Sequence, residues 1–168
     1  LALVLAFDPD ADAAALAQGL AHFAGLPHRC EVVGHIAGVR YINDSKATNV
    51  SATAAAIAGL RDPQGALLVL LGGDGKGADF SVLGPVLADG VRAALLYGAA
   101  ASELAAALAG QVPVYRCETL RAALAQARAL ARTGDTVLLS PACASFDQFA
   151  NFEARGDAFR TAVAELAA

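Results

Sequence analysis

Ala66-Leu67-Leu68-Val69-Leu70-Leu71, followed at once by Gly72-Gly73-Asp74-Gly75-Lys76-Gly77, is the stretch that decides the fold. Six apolar residues without a polar break read as a strand covered on both faces, as in a parallel sheet between helices. The glycines after it allow a tight strand-to-helix turn with positive φ or close approach of a ligand to the backbone. Thr136–Ser140 repeats the apolar run, and Ala93–Tyr97 and Val112–Arg116 supply two more strand-like segments. Helical stretches are expected at roughly 80–88, 101–109, 119–132 and 146–166. Strands alternating with helices of this kind predict βαβ units. The expected class is α/β, a three-layer Rossmann-like domain with a mostly parallel sheet.

Toward the N-terminus, Glu31–Ile36 and Val39–Ile42 meet at Ala37-Gly38 and predict a hairpin. A polar cluster, Asn43-Asp44-Ser45-Lys46-Ala47-Thr48-Asn49, then enters an Ala-rich helix ending near Leu60. Residues 13–24 carry Leu16, Leu20 and Phe23 at helical spacing, and Gly25-Leu26-Pro27 stops them. Residues 1–27 are therefore expected to be the helical, incomplete tail of another domain, and 28–168 the α/β domain.

Composition narrows the function classes. The chain has 168 residues, 43 of them Ala, a net charge of −4 and neither Met nor Trp. Its acidic balance excludes a basic nucleic-acid footprint. The apolar runs are far short of the roughly 20 residues that span a bilayer. Cys30, Cys117 and Cys143 share no metal-ligand spacing and read as reduced thiols of a cytoplasmic protein. A start at Leu1 in mid-pattern, with no charged region before the apolar run, reads as part of a longer enzyme without a signal peptide.

Ligands of open parallel sheets bind outside the carboxyl ends of the strands. Of the loops there, Gly98-Ala99-Ala100 and Cys117-Glu118-Thr119 carry little chemistry, whereas three others do. Asn43–Asn49 is consistent with a helix cap, but capping needs only one or two of these residues and no lysine. Gly72–Gly77 is consistent with a tight turn in which Asp79 caps the next helix, and it fits neither GxxxxGK[ST] nor GxGxxG. Ser140–Phe152 ends a strand and opens a helix near Phe146, with Ser145 as the expected cap and its free N–H groups suited to a carboxylate. Cys143 or Ser145 as a nucleophile lacks both a GxSxG elbow and a neighbouring base. Phe149 and Phe152 at helical spacing are expected in the core. The chain uses Arg ten times and Lys only twice, at Lys46 and Lys76, one in each of the first two loops. Two ammoniums on one sheet edge, with Thr48 and Ser145, predict an anion site.

His28-Arg29, Asn43–Asn49, Gly72–Lys76 and Ser140–Phe152, in this order, resemble the Mur ligases from about Gly25 onward. The resemblance implies the amino-acid-binding domain, with residues 1–27 the tail of a central ATP-binding domain. It implies an ATP- and Mg²⁺-dependent ligase joining D-glutamate to UDP-N-acetylmuramoyl-L-alanine through an acyl phosphate, in peptidoglycan precursor synthesis. This stretch alone is expected to be inactive and to bind no cofactor or metal, because the phosphate loop and magnesium ligands have no counterpart in it. By resemblance, Thr48, Lys76, Ser145, Phe146 (through its backbone) and Phe152 would hold D-glutamate. His28, Arg29 and Asp44 would face the nucleotide, and Lys46 would be catalytic at the phosphoryl-transfer centre. Neither a nucleic-acid nor a membrane partner is expected. The alternative is a Rossmann-like nucleotide-binding module of an oxidoreductase, which would need a GxGxxG that is absent. A non-catalytic α/β interaction module would explain the fold but not the lysines.

Overall fold

The computed structural model describes residues 2–8, 10–21 and 25–167. Two short helices come first, α1 (Ala2–Phe7) and α2 (Ala13–Ala21). The α2 helix buries none of its residues, and Phe7 is 94% exposed. The expected extension to residue 24, with Phe23, lies outside the described residues.

β1 (Glu31–Ile36) and β2 (Val39–Asn43) form the expected hairpin, turning on Ala37 at φ 51° and Gly38 at φ 75°. Two successive positive φ values match the twist of the flanking strands. α3 (Val50–Leu60), β3 (Leu67–Gly72), α4 (Leu83–Leu87), β4 (Val91–Tyr97), α5 (Ala101–Ala107), β5 (Val114–Arg116), α6 (Leu120–Leu130), β6 (Thr136–Leu139) and α7 (Phe152–Glu165) follow. The sheet runs β1-β2-β6-β3-β4-β5, with β1 antiparallel to β2 and the remaining pairs parallel.

Successive side chains of a strand point to opposite faces, so the apolar runs serve two cores. Leu67, Val69 and Leu71 pack with Ile57, Leu83 and Leu104 under α3, α4 and α5. Leu68 and Leu70 pack with Leu124, Phe159 and Val163 under α6 and α7. This is the expected three-layer α/β arrangement. At the edge where β3 and β4 begin, the buried Asp135 accepts two hydrogen bonds from Arg92, both 2.9 Å, and others from the N–H groups of Ala66 and Arg132. Burial pushes this carboxyl up, but those donors outweigh it and hold it below the usual carboxylate range.

Two expectations at helix starts are corrected. The last helix begins at Phe152, not near Phe146, and its cap is Asn151, whose side chain accepts from Ala154 N–H at 2.7 Å. Ser145 instead closes a single turn, its carbonyl accepting from Gln148 and Phe149 N–H. A cap must be extended and must precede continuous helical backbone, and Asn151 at φ −162° meets that condition. Likewise Asp79 does not cap α4: it accepts from Ser81 N–H at 2.9 Å in a local turn, and α4 starts at Leu83 without a side-chain cap.

Candidate functional site

The order β2-β6-β3 makes neighbours of the strands that precede the three polar loops. Beyond its last paired residue, β6 continues as a segment bonded on both sides. Asp44 N–H reaches Leu139 O at 2.8 Å, and Ala142 N–H reaches Ala47 O at 3.1 Å. Gly72 N–H reaches Pro141 O, and Asp74 and Ala144 exchange both backbone bonds, all at 2.9 Å. The three loops are therefore one hydrogen-bonded surface. Gly73, at φ 130°, allows it: a Cβ there would lie 2.1 Å from Ala144 O. Apart from the hairpin's Ala37, the non-glycine residues at positive φ among the described residues are His28, Cys30, Lys76 and Ala142, and all lie in or beside these loops. Strained backbone of this kind clusters at working surfaces.

Each lysine sits against a phenylalanine of the 140–152 segment. Lys46 Nζ lies 4.1 Å from the centre of the Phe152 ring and Lys76 Nζ 5.1 Å from that of Phe146. Attraction to the ring face holds an ammonium in place without neutralising it. Phe152 is thus half-buried and also meets His28 edge-on at 6.1 Å, while Phe149 packs against the α6–α7 core. Thr48 is half-buried and Ser145 is buried.

On the other side of Lys46 is a cavity of about 320 Å³ lined by Arg29, Cys30, Asp44 and Lys46, with Ala52, Ala55 and Ala56 of α3. Asp44 accepts from Ser140 Oγ at 2.8 Å and from Cys30 N–H at 3.2 Å. Its carboxyl is nonetheless raised, because burial outweighs those donors. Burial and the neighbouring Asp44 push the Cys30 thiol up to about 11, and burial pushes Cys143 to about 12, so neither is a thiolate nucleophile at neutral pH. His28 does not line this cavity. It is buried against Gly156, its Nδ1 is 3.0 Å from Asn43 Nδ2, and its carbonyl accepts from Lys46 N–H at 3.0 Å.

Sequence reasoning missed the residue beneath all of this. Arg155 of α7 is 0% exposed. Its Nε donates to Ser45 Oγ at 3.0 Å and one terminal nitrogen to Ser45 O at 2.9 Å. The other donates to the carbonyls of Cys143 and Ala144 at 3.1 and 3.2 Å. Ser45 Oγ in turn donates to Phe152 O at 2.8 Å. Arg155 occupies the inward stripe Phe152-Arg155-Gly156-Phe159-Val163, and that spacing was the available signal. Among the described residues no group of three His, Cys, Asp or Glu could hold a metal, and no helix is long and apolar enough to cross a membrane.

The domain is thus a three-layer α/β fold with one lysine after β2 and one after β3 at the carboxyl edge of its sheet. The chain belongs to the Mur ligase family, matching its glutamate ligase domain over residues 28–143. Similar proteins include the UDP-N-acetylmuramoylalanine--D-glutamate ligase of Nitrosococcus oceani, 54% identical over 91% of this chain and 34% of that protein. The enzyme of the same name from Chromohalobacter salexigens is 56% identical over 87% of this chain and 32% of that protein. The chain thus spans about a third of the length of the curated relatives it matches. In fold it is similar to a bifunctional folylpolyglutamate synthase/dihydrofolate synthase of Yersinia pestis complexed with AMPPNP and Mn ion. That likeness has a TM-score of 0.67 at 22% identity, covering 95% of this chain and 37% of that one. It is also similar to a MurF ligase of Thermotoga maritima in complex with ADP, with TM-score 0.62 at 18% identity over 87% of this chain and 33% of that one. Nothing found supports the oxidoreductase alternative.

Proposed function

We propose that this chain is the D-glutamate-binding part of an ATP-dependent ligase that joins D-glutamate to UDP-N-acetylmuramoyl-L-alanine in the cytoplasm, with residues 1–27 the tail of the ATP-binding domain. The observation that carries the reading is the seating of both lysines against one segment, over three adjacent strand ends. A dicarboxylate needs two cationic or N–H-rich subsites; in this reading Lys76 supplies one, and the Ser145 hydroxyl with the Phe146 backbone supplies the other. Thr48, Lys76, Ser145, the Phe146 backbone and Phe152 hold D-glutamate in this reading. Arg29 and Asp44 take the phosphate and ribose side of the nucleotide in the neighbouring cavity, with His28 ordering that loop through its carbonyl. The residues fit such a ligand, since the cavity pairs cations with a carboxylate that can accept from a hydroxyl. Lys46 stands between the two regions and offsets the charge that develops when the amine attacks the activated carboxylate. ATP supplies the phosphoryl group, and Mg²⁺ is held by the rest of the protein.

The test uses the complete protein that carries this domain, measuring phosphate release with ATP, Mg²⁺ and the UDP-substrate. D-Glutamate is expected to drive release and L-glutamate to be poor. Lys76→Ala is expected to lower kcat/KM for D-glutamate by about 100-fold while leaving the KM for ATP within about twofold. Equal use of both enantiomers, or a lysine effect confined to ATP, overturns the reading.

A further inference from the structure

We infer that Arg155 is a positioning residue that sets the glutamate subsite and the phosphoryl-transfer lysine in one register. The inference rests on the ligase reading above for its chemistry, but its geometry stands apart from it. The guanidinium bonds the residue before Lys46 through Ser45 O and Oγ, and the two residues before Ser145 through the carbonyls of Cys143 and Ala144. A Cβ on Gly73 would come within 3.2 Å of it, so the glycine loop that carries Lys76 closes over the same group. Through Ser45 Oγ the chain of bonds continues to Phe152 O, the first residue of α7, whose ring carries Lys46. One side chain therefore lies under Lys46, Lys76, Ser145 and Phe152.

Its electrostatics are as distinctive as its bonds. A buried charge ordinarily has an ionic partner, since desolvation is expensive. Among the described residues Arg155 makes no ion pair, and its bonds go to carbonyl and hydroxyl oxygens. Tyr97 is buried nearby, and burial holds its phenol protonated, so it forms no ion pair with the guanidinium. Asp74, Asp147 and Glu103 act on Cys143 from the same region, so Arg155 serves the ligand through the loops it holds. A planar fork is required for the geometry, because carbonyls from two separate loops must be met at fixed angles, which a lysine ammonium cannot do.

The experiment compares Arg155→Lys and Arg155→Met in the complete protein by steady-state kinetics and amide hydrogen exchange. Arg155→Lys, which keeps the charge but loses the fork, is expected to raise the KM for D-glutamate by about tenfold, and Arg155→Met by more, with the KM for ATP within about twofold. Exchange is expected to speed up together at the amides of Gly72, Asp74, Ala142 and Ala144, which join the loops, and not at Leu68–Leu70 within the sheet. An unchanged D-glutamate KM in both variants overturns the proposal, as does faster exchange spread evenly over the sheet. If the wild-type protein does not use D-glutamate, the ligase reading fails and the exchange pattern still decides the role of Arg155.

Discussion

The two ends of the sheet each have an arginine node, and the two are built on opposite principles. At the end where β3 and β4 begin, Arg92 meets Asp135 in a two-pronged ion pair, and the remaining lone pairs of the acid take backbone N–H groups. Charge is cancelled where it is buried, and nothing is left to attract a ligand. At the carboxyl end, Arg155 is more deeply buried, yet the oxygens it bonds come from neutral groups. The first node ties strands together, and the second ties loops together. Concavity alone does not separate the two kinds of region. A cavity of about 510 Å³ lies over β4 and β5, and its lining carries charges of both signs, Arg116, Glu118 and Asp147.

The largest expected effect that would break this comparison is at Gly73. Gly73→Ala puts a methyl into the Ala144 carbonyl at positive φ, and is expected to cost about 4 kcal/mol in denaturant unfolding. Gly77→Ala, also at positive φ but in open space, is expected to cost only about 1 kcal/mol. Equal costs would mean that the loops do not close on one another.

Asp135→Asn is expected to lower stability by about 3 kcal/mol, because it leaves Arg92 and two N–H groups facing a weaker acceptor. Turnover well below the melting point should not change, which separates this node from Arg155. The sign of its pH dependence follows from the lowered carboxyl: Asp135 stabilises the fold above the ordinary carboxylate pKa, and that contribution is lost as pH falls through its folded value. Acid unfolding of Asp135→Asn should therefore show a shallower dependence on pH in that range than the wild type.

The smallest expected effect is at the β5 end. Arg116→Ala is expected to change kcat/KM for D-glutamate by less than about twofold, since Arg116 donates to Ser102 Oγ and contributes to no loop over β2, β6 and β3. A larger loss would make the β4–β5 cavity part of the site.

The sequence by itself determined the class of fold and singled out the polar loops and lysines that are its candidate site. Apolar runs such as Ala66–Leu71 can be satisfied only under helices on both faces, so the layers followed from composition along the chain. Lys46 and Lys76 stood out because arginine filled every other basic position. Local signals failed where two residue types compete for one role. Ser145 and Asn151 are both good caps, and only the backbone path shows that Asn151 starts the helix. An arginine in a helix ordinarily reads as solvated, although the spacing of Arg155 with Phe152 and Phe159 is that of a buried face.

Strand order was decided by the tertiary structure alone. β6, late in the sequence, inserts between β2 and β3, and this brings loops nearly 100 residues apart into a single bonded surface. Periodicity reports which face of an element is apolar, whereas neighbourhood in a sheet is set by how whole elements pack. The residues that could bind were therefore legible in the chain, but the means of holding them together was not, because it depends on a guanidinium whose partners lie in loops the sequence keeps apart.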